Sequence, residues 1–206
     1  KEGVRQIRLK DLGYSAAATD SYAQFTQLRD QGVIPAHMRF QVAIPFTRGA
    51  FGNYFRKPGN FAIMEAAYEE VAKRELAEII EAIPAGDLAI QWDVCSEILD
   101  VDGYWPWWPD GNKADKIAMN SELARRLDLD KLPDEAWLGF HICYGTMGGW
   151  PMLKPKSVAS SVALVNALVK KTPRRTDFVH IPAGRRAFDA DYFAELEDLQ
   201  IEDAKL

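Results

Sequence analysis

Four apolar segments constrain the fold of this chain more than any other feature of its sequence. They begin at residues 39, 88, 138 and 177 and read RFQVAIP, LAIQWDV, LGFHIC and DFVHI. None alternates cleanly between apolar and polar residues, which is typical of strands buried in a parallel sheet. Helical spacing of apolar residues marks the stretches 15–30, 61–83, 120–127 and 157–169. The alternation predicts an α/β fold of repeated strand–helix units, with a fifth strand beginning at 196–201.

Two architectures fit repeated strand–helix units, namely a doubly wound sheet and a (β/α)8 barrel of the TIM type. No glycine-rich phosphate-binding motif follows any of the predicted strands, which argues against nucleotide binding. The length of 206 residues suits one domain with a sizeable core. We therefore expect a single domain over residues 1–206.

Charge and cysteine content narrow the class of protein. The net charge of −5 argues against a general nucleic-acid binder, which usually has a basic face. No apolar run approaches the roughly 20 residues of a membrane span. Two cysteines beside apolar runs suit reduced thiols in the cytoplasm. We expect a cytoplasmic protein whose partner is a small molecule rather than nucleic acid or membrane, and a homo-oligomer is compatible with this.

His141 and Cys143 lie two residues apart at the end of the third predicted strand. Side chains alternate along a strand, so the imidazole and the thiol point the same way. Such a pair can bind a soft metal such as zinc, which needs three or four ligands. Further candidate ligands are Cys95, Glu97 and His180. Alternatively, Cys143 is a small buried apolar residue and His141 bonds a backbone carbonyl.

The carboxyl ends of parallel strands meet at one edge, where active sites form. Asp93 lies in an apolar strand and is expected to act as a general base or to orient substrate, unless it is a paired buried carboxylate. His180 is a candidate third ligand or proton shuttle, or a strand histidine packed under the loop. The candidate substrate-binding residues at these ends are Arg48, Tyr144, Arg185 and Arg186.

Residues 100–115 (DVDGYWPWWPDGNKAD) contain three of the six tryptophans of the chain. The segment follows the second predicted strand, so it lies on the expected active-site edge. Trp105 and Trp107 are candidates for an aromatic wall or lid over a substrate. The other interpretation is a surface loop held by its own aromatic rings.

The strand sequences resemble one enzyme superfamily. LGFHICYG resembles the zinc-binding His-x-Cys strand of cobalamin-independent methionine synthases and related thiol alkyltransferases. RFQVAIPFT, LAIQWDVCSEI and DFVHIPAGRR are similar to strands of the uroporphyrinogen-decarboxylase/methionine-synthase-like branch, over about residues 12–199. The resemblance implies a (β/α)8 barrel with zinc held by His141 and Cys143.

This sequence departs from the zinc ligand set of that family. The family's glutamate on the next strand is missing, with His180 the nearest candidate, and no cysteine follows Cys143. An eight-stranded barrel also needs about 250 residues, whereas four or five strands are predicted here. We therefore expect an incomplete barrel, an internal stretch of a longer protein whose late cysteine lies beyond Leu206. If the chain is complete, the zinc site is expected to be absent.

Three functions follow as expectations. The first is zinc-dependent transfer of a methyl or alkyl group to a thiol, with Asp93 and His180 positioning substrate or moving protons. The second is a metal-free decarboxylase-like or lyase-like enzyme that binds a carboxylated substrate through Arg48, Arg185 and Arg186. The third is a non-catalytic barrel that binds a small ligand.

Overall fold

The computed structural model describes residues 6–52, 54, 58–104, 111–146, 148–149, 151–184 and 189–206. The strands of these ranges are β1 (Phe40–Pro45), β2 (Leu88–Val94), β3 (Trp137–Ile142) and β4 (Phe178–His180). The α-helices are α1 (Tyr14–Asp30), α2 (Thr47–Phe51), α3 (Pro58–Ala82), α4 (Ser96–Val101), α5 (Lys113–Ser121), α6 (Leu123–Arg126) and α7 (Ala159–Lys171). In these ranges we find no helix with both the length and the apolar character that crossing a membrane requires.

The four strands form one parallel sheet in the order β1-β2-β3-β4. This confirms the predicted α/β class and the four predicted strands to within two residues at each end. A doubly wound sheet reverses its strand order at a switch point. The described strands instead follow one another in chain order, so they show no such reversal.

The apolar core joins one face of the sheet to the helices. Its strand residues are Val42, Ile44, Leu88, Ile90, Trp92, Val94, Leu138, Phe140, Ile142 and Val179. All of these lie on the same face, because side chains alternate and neighbouring strands are paired in register. The core continues into α3 through Tyr68, Leu76 and Ile79 and into α7 through Leu164 and Val165. The sheet therefore has one apolar face covered by helices and a second face of different character.

Two predicted elements differ from the structure. The helix predicted over 120–127 begins earlier, as α5, because the Asn112 side chain caps its first turn by accepting the Asp115 amide N–H at 3.0 Å. The fifth strand predicted at 196–201 is wrong in position. A 3₁₀-helix spans Ala190–Asp198, and its acidic side chains are poor strand formers. Instead, Lys205 bridges to Phe178 in parallel, on the free edge of β4.

Glu75 of α3 holds the start of α1. Its two carboxylate oxygens accept backbone N–H groups of Leu12, Gly13 (3.2 Å), Tyr14 (2.7 Å) and Ser15 (3.2 Å). The first N–H groups of a helix have no partner within the helix. A buried carboxylate that satisfies several of them fixes α1 against α3.

We expect Glu75→Gln to lower the free energy of unfolding by about 1–3 kcal/mol, because an amide has one acceptor oxygen and no charge with which to bind these donors. Urea denaturation of both proteins measures the difference. Glu81→Gln is the matched control, since Glu81 is an exposed residue of the same helix, and it should change the stability by less than about 0.5 kcal/mol. Equal stability of Glu75→Gln and the control would contradict the capping role.

Candidate functional site

The face of the sheet turned away from the apolar core holds the candidate site, and we call it the open face. It consists of Gln41, Ala43, Pro45, Ala89, Gln91, Asp93, Trp137, Gly139, His141, Phe178 and His180. Polar and ionisable side chains gather towards the carboxyl ends of the strands, with Asp93 and His141 partly exposed and His180 exposed. The sheet thus carries ionisable side chains on its open face and packs its other face against the helices through apolar side chains.

Asp93, His141 and His180 form a row across three neighbouring strands. Asp93 is the register partner of His141, and His141 is the register partner of His180. The two imidazole rings lie edge to face with their centres 5.6 Å apart. Three residues that the sequence singled out separately are therefore brought side by side by the parallel register.

Two glutamine amides orient Asp93. Gln41 Nε2 donates to Gln91 Oε1 at 3.1 Å, and Gln91 Nε2 donates to Asp93 Oδ1 at 2.8 Å. Because the Gln91 oxygen is already an acceptor for Gln41, its amide nitrogen is directed at Asp93. Sequence reasoning missed this chain of amides, although Gln41 is a polar residue inside an apolar strand and shares the face of Gln91.

Cys95 and His141 are the neighbours of Cys143 at the carboxyl edge. The Cys143 sulfur accepts the Gly145 backbone N–H at 3.4 Å. The Cys95 thiol first, and then the His141 imidazole, lower the pKa of Cys143 far below that of an ordinary thiol. The proximity of Cys143, together with burial, raises the pKa of Cys95. These opposite shifts and the Gly145 donor favour Cys143 as the thiolate of the pair.

The neighbouring ionisable groups are tuned in different directions. The neighbouring Cys143 sulfur raises the pKa of His141, which favours the imidazolium beside a thiolate. Burial and the nearby His141 lower the pKa of His180. Burial also raises the pKa of Asp93, against the hydrogen bond from Gln91 and the charge of His141. Such divergent shifts in one cluster are typical of sites that move protons.

A zinc ion would find two donors of the expected kind here. Nδ1 of His141 is buried and has no hydrogen-bond partner within the described ranges, and the Cys143 thiolate lies beside this ring. However, among the described residues no three His, Cys, Asp or Glu side chains converge as a metal-binding group. A tetrahedral zinc site needs three or four protein ligands. The described donors therefore do not make a complete site.

Arg48 lies on the helical side of the sheet, in α2. Its side chain is 3% exposed and its guanidinium contacts Asp100 Oδ2 at 3.1 Å and donates to Asn120 Oδ1 at 2.6 Å. Lys116 adds a second cation to Asp100, with its Nζ 3.5 Å from Oδ1. These contacts join α2, α4 and α5 beneath the carboxyl edge. They give Arg48 a structural position and lend no support to the prediction that it binds substrate.

Tyr144 and Glu97 also lie away from the open face. Tyr144 is fully buried, and its hydroxyl donates to Asp102 Oδ2 at 2.8 Å. Glu97 is fully buried in the first turn of α4, where burial raises its pKa to about 7 against the attraction of Arg48. Neither the predicted substrate contact of Tyr144 nor the metal-ligand role considered for Glu97 gains support from these surroundings.

A small cavity occupies the open face next to His180. It measures about 290 Å³ and is also lined by Gln41, Ala89, Trp137 and Phe178. The Phe178 ring packs directly against Gly139 of β3. A Cβ at residue 139 would lie 2.2 Å from this ring, so the close approach requires glycine. A glycine inside a strand often marks such a close approach. Gly139 was therefore a signal in the sequence for the packing of a bulky side chain against β3.

The remaining predicted substrate-binding residues, Trp105, Trp107, Arg185 and Arg186, lie outside the described residues. What the structure does describe is the base of the tryptophan segment. Lys113 Nζ lies 2.9 Å from Asp102 Oδ1, so an ion pair connects the residues on either side of this segment.

Comparison of the chain with models of protein families, with curated proteins and with solved structures finds no match.

We expect Arg48→Ala to lower the free energy of unfolding by about 3–5 kcal/mol, because it removes a partner from the buried carboxylate of Asp100. Guanidinium denaturation measures the loss. Arg126→Ala is the matched control, because Arg126 pairs with Glu65 and Glu69 while 42% exposed. It should cost at most about 1 kcal/mol. An Arg48→Ala protein as stable as this control would show that the buried cluster is not structural.

We expect Cys143 to react with iodoacetamide at about pH 6, where a thiol with the ordinary pKa of about 8.5 is almost entirely protonated. Only the thiolate reacts, so a lowered pKa shifts the rise of the rate to lower pH. Mass spectrometry of peptides alkylated at a series of pH values gives the profile of each cysteine. Cys95 is the internal control and should react only at higher pH. His141→Gln should shift the Cys143 profile upward, and identical profiles for both cysteines would contradict the assignment.

Proposed function

We propose that this chain forms an arc of a (β/α)8 barrel and belongs to an enzyme that uses the Cys143 thiolate on a small molecule. The observation that carries the proposal is the position of the Cys143 sulfur. It lies beside Cys95 and His141, one residue past the carboxyl end of β3 in a parallel sheet. Active sites of parallel α/β folds form at this edge.

The barrel is favoured by the strand order and by the two unlike faces of the sheet. In a barrel, consecutive strands are neighbours and the helices lie outside, so the inner face is free for ligand chemistry. The described sheet has consecutive strands and an apolar face packed against helices. The parallel bridge of Lys205 beside β4 provides the position for a further strand in the same order. A closed barrel requires more strands than the four described.

A thiolate held in this way suits covalent catalysis. The Cys143 sulfur would attack an electrophilic carbonyl carbon of the substrate, forming an S–C bond while the bond to the leaving group breaks. His141, as the imidazolium, would supply a proton to the leaving group. The resulting thioester can be released by water or by a second thiol, with His141 accepting the proton. Asp93, fixed by Gln91, and His180 would orient the substrate within the row.

The second candidate is alkyl transfer to a substrate thiol with the help of zinc, as the resemblance to methionine synthases implies. It is favoured by Nδ1 of His141, which is buried beside Cys143 and has no hydrogen-bond partner among the described residues. The described residues supply two zinc donors, whereas a zinc site needs three or four. Direct alkylation of Cys143 is a poor alternative to it, because a thioether is not released by water.

A test of covalent catalysis uses an activated ester, p-nitrophenyl acetate, at about pH 6. We expect a burst of nitrophenol close to one equivalent per chain, with acetyl found on Cys143 by mass spectrometry. Cys143→Ser should lose the burst. Cys95→Ser is the matched control and should keep it, because the serine hydroxyl leaves a hydrogen-bond donor beside Cys143 while the nucleophile is unchanged. Acetylation of both cysteines at equal rates, or of lysines alone, would contradict the proposal.

Elemental analysis of the same purified protein separates the candidates. Zinc near one equivalent that is lost in Cys143→Ser favours alkyl transfer, whereas a metal-free protein with a Cys143 burst favours covalent catalysis. A metal-free protein that binds a polycarboxylate would favour the decarboxylase-like alternative, now without support from Arg48. Ligand binding with neither burst nor metal would indicate a non-catalytic barrel.

A further inference from the structure

Cys95 and Cys143 are cross-strand neighbours at the ends of β2 and β3. Val94 is the register partner of Ile142, and Cys143 N donates to Val94 O at 3.3 Å, so Cys95 and Cys143 directly follow two paired strand ends. Both cysteines are free and partly exposed. Each thiol is the first cause of the shift in the other's pKa, which places the two sulfurs close together.

The geometry suits a disulfide. Neighbouring strands lie about 4.8 Å apart, and disulfides join Cα atoms that are about 4.4–6.8 Å apart. Because the two residues follow neighbouring strand ends, we expect the bond to close by rotation about the side chains without a shift of the sheet. The sequence predicts both cysteines at the carboxyl edge as candidate ligands, but 48 positions separate them, and their proximity depends on which strands are neighbours.

We propose that Cys95 and Cys143 are a reversible oxidation site, in which a hydroperoxide converts the two thiols into an intramolecular disulfide. The existence of the disulfide rests on the cross-strand geometry alone. Its consequence rests on the proposed function, since the disulfide removes the Cys143 thiolate from the site.

The reaction balances in two steps. The Cys143 sulfur attacks one oxygen of hydrogen peroxide, the O–O bond breaks, and a sulfenic acid and one water form. The Cys95 sulfur then attacks the Cys143 sulfur, the S–S bond forms as the S–O bond breaks, and a second water leaves with the Cys95 proton. The two sulfurs together lose two electrons, which reduce the peroxide. A dithiol reductant reverses the change by thiol–disulfide exchange.

Cys143 is assigned the first step because of its surroundings. Its sulfur accepts the Gly145 backbone N–H at 3.4 Å, which stabilises the thiolate. Cys95 is the residue before the first turn of α4 and is next to Cys143. The resolving thiol therefore lies beside the sulfur that reacts first.

The test treats the full chain with a small excess of hydrogen peroxide and counts free thiols after denaturation. We expect the count to fall from the two of the reduced chain to none. A non-reducing peptide map should show the peptides of Cys95 and Cys143 joined within one chain, and dithiothreitol should restore both thiols. In Cys95→Ser the sulfenic acid on Cys143 should persist and be trapped by dimedone.

Three results would overturn the inference: both thiols surviving in the oxidised wild-type chain, a dimedone adduct as abundant as in Cys95→Ser, or a disulfide only between two chains. The wild-type measurement stands even if a serine variant does not fold. The p-nitrophenyl acetate burst separates this inference from the proposed function. If the disulfide forms but no burst is seen, only the proposed function is contradicted. If a burst is seen but no disulfide forms, only the oxidation site is contradicted.

Discussion

The in-register pairing of four parallel strands determines which residues of the candidate site lie side by side. Because each strand is the direct neighbour of the next in the chain, residues far apart in sequence become lateral partners at the same height. Asp93, His141 and His180 form their row for this reason. A shift of one residue in any strand would turn its polar side chains into the apolar core and expose the core side chains instead. The register is therefore fixed by hydrophobic burial, and the chemistry depends on it.

The two faces of the sheet divide the polar groups into structural and chemical sets. On the helical side, charged groups such as Arg48 and Asp100 are enclosed and paired, and they hold short helices beneath the carboxyl edge. On the open face, Asp93 and His141 are half-buried and His180 is exposed, and their different neighbours shift their pKa values in different directions. Residue type alone does not separate these sets, because an arginine after a strand end can face either side.

Cys143 illustrates how one side chain can support several kinds of chemistry. The neighbours that stabilise its thiolate, Cys95 and His141, are those that would serve a nucleophile, a soft metal or a disulfide. The three uses differ in what the rest of the site must supply. A nucleophile needs a proton donor, which His141 provides. A disulfide needs only the Cys95 sulfur. A metal needs further ligands that do not converge among the described side chains.

The sequence by itself determined the α/β class, the four strands, the pairing of His141 with Cys143 on one face and the gathering of Asp93 and His180 at the carboxyl edge. These follow from local periodicity and from the geometry common to all parallel sheets. Only the tertiary structure decided the strand order, the burial of Arg48 and Tyr144, the amide chain through Gln91 and the contact of Cys95 with Cys143. Each of these depends on which strand lies beside which and on the direction of a side chain after its strand ends. Such choices are made by the packing of distant segments, which local patterns do not encode.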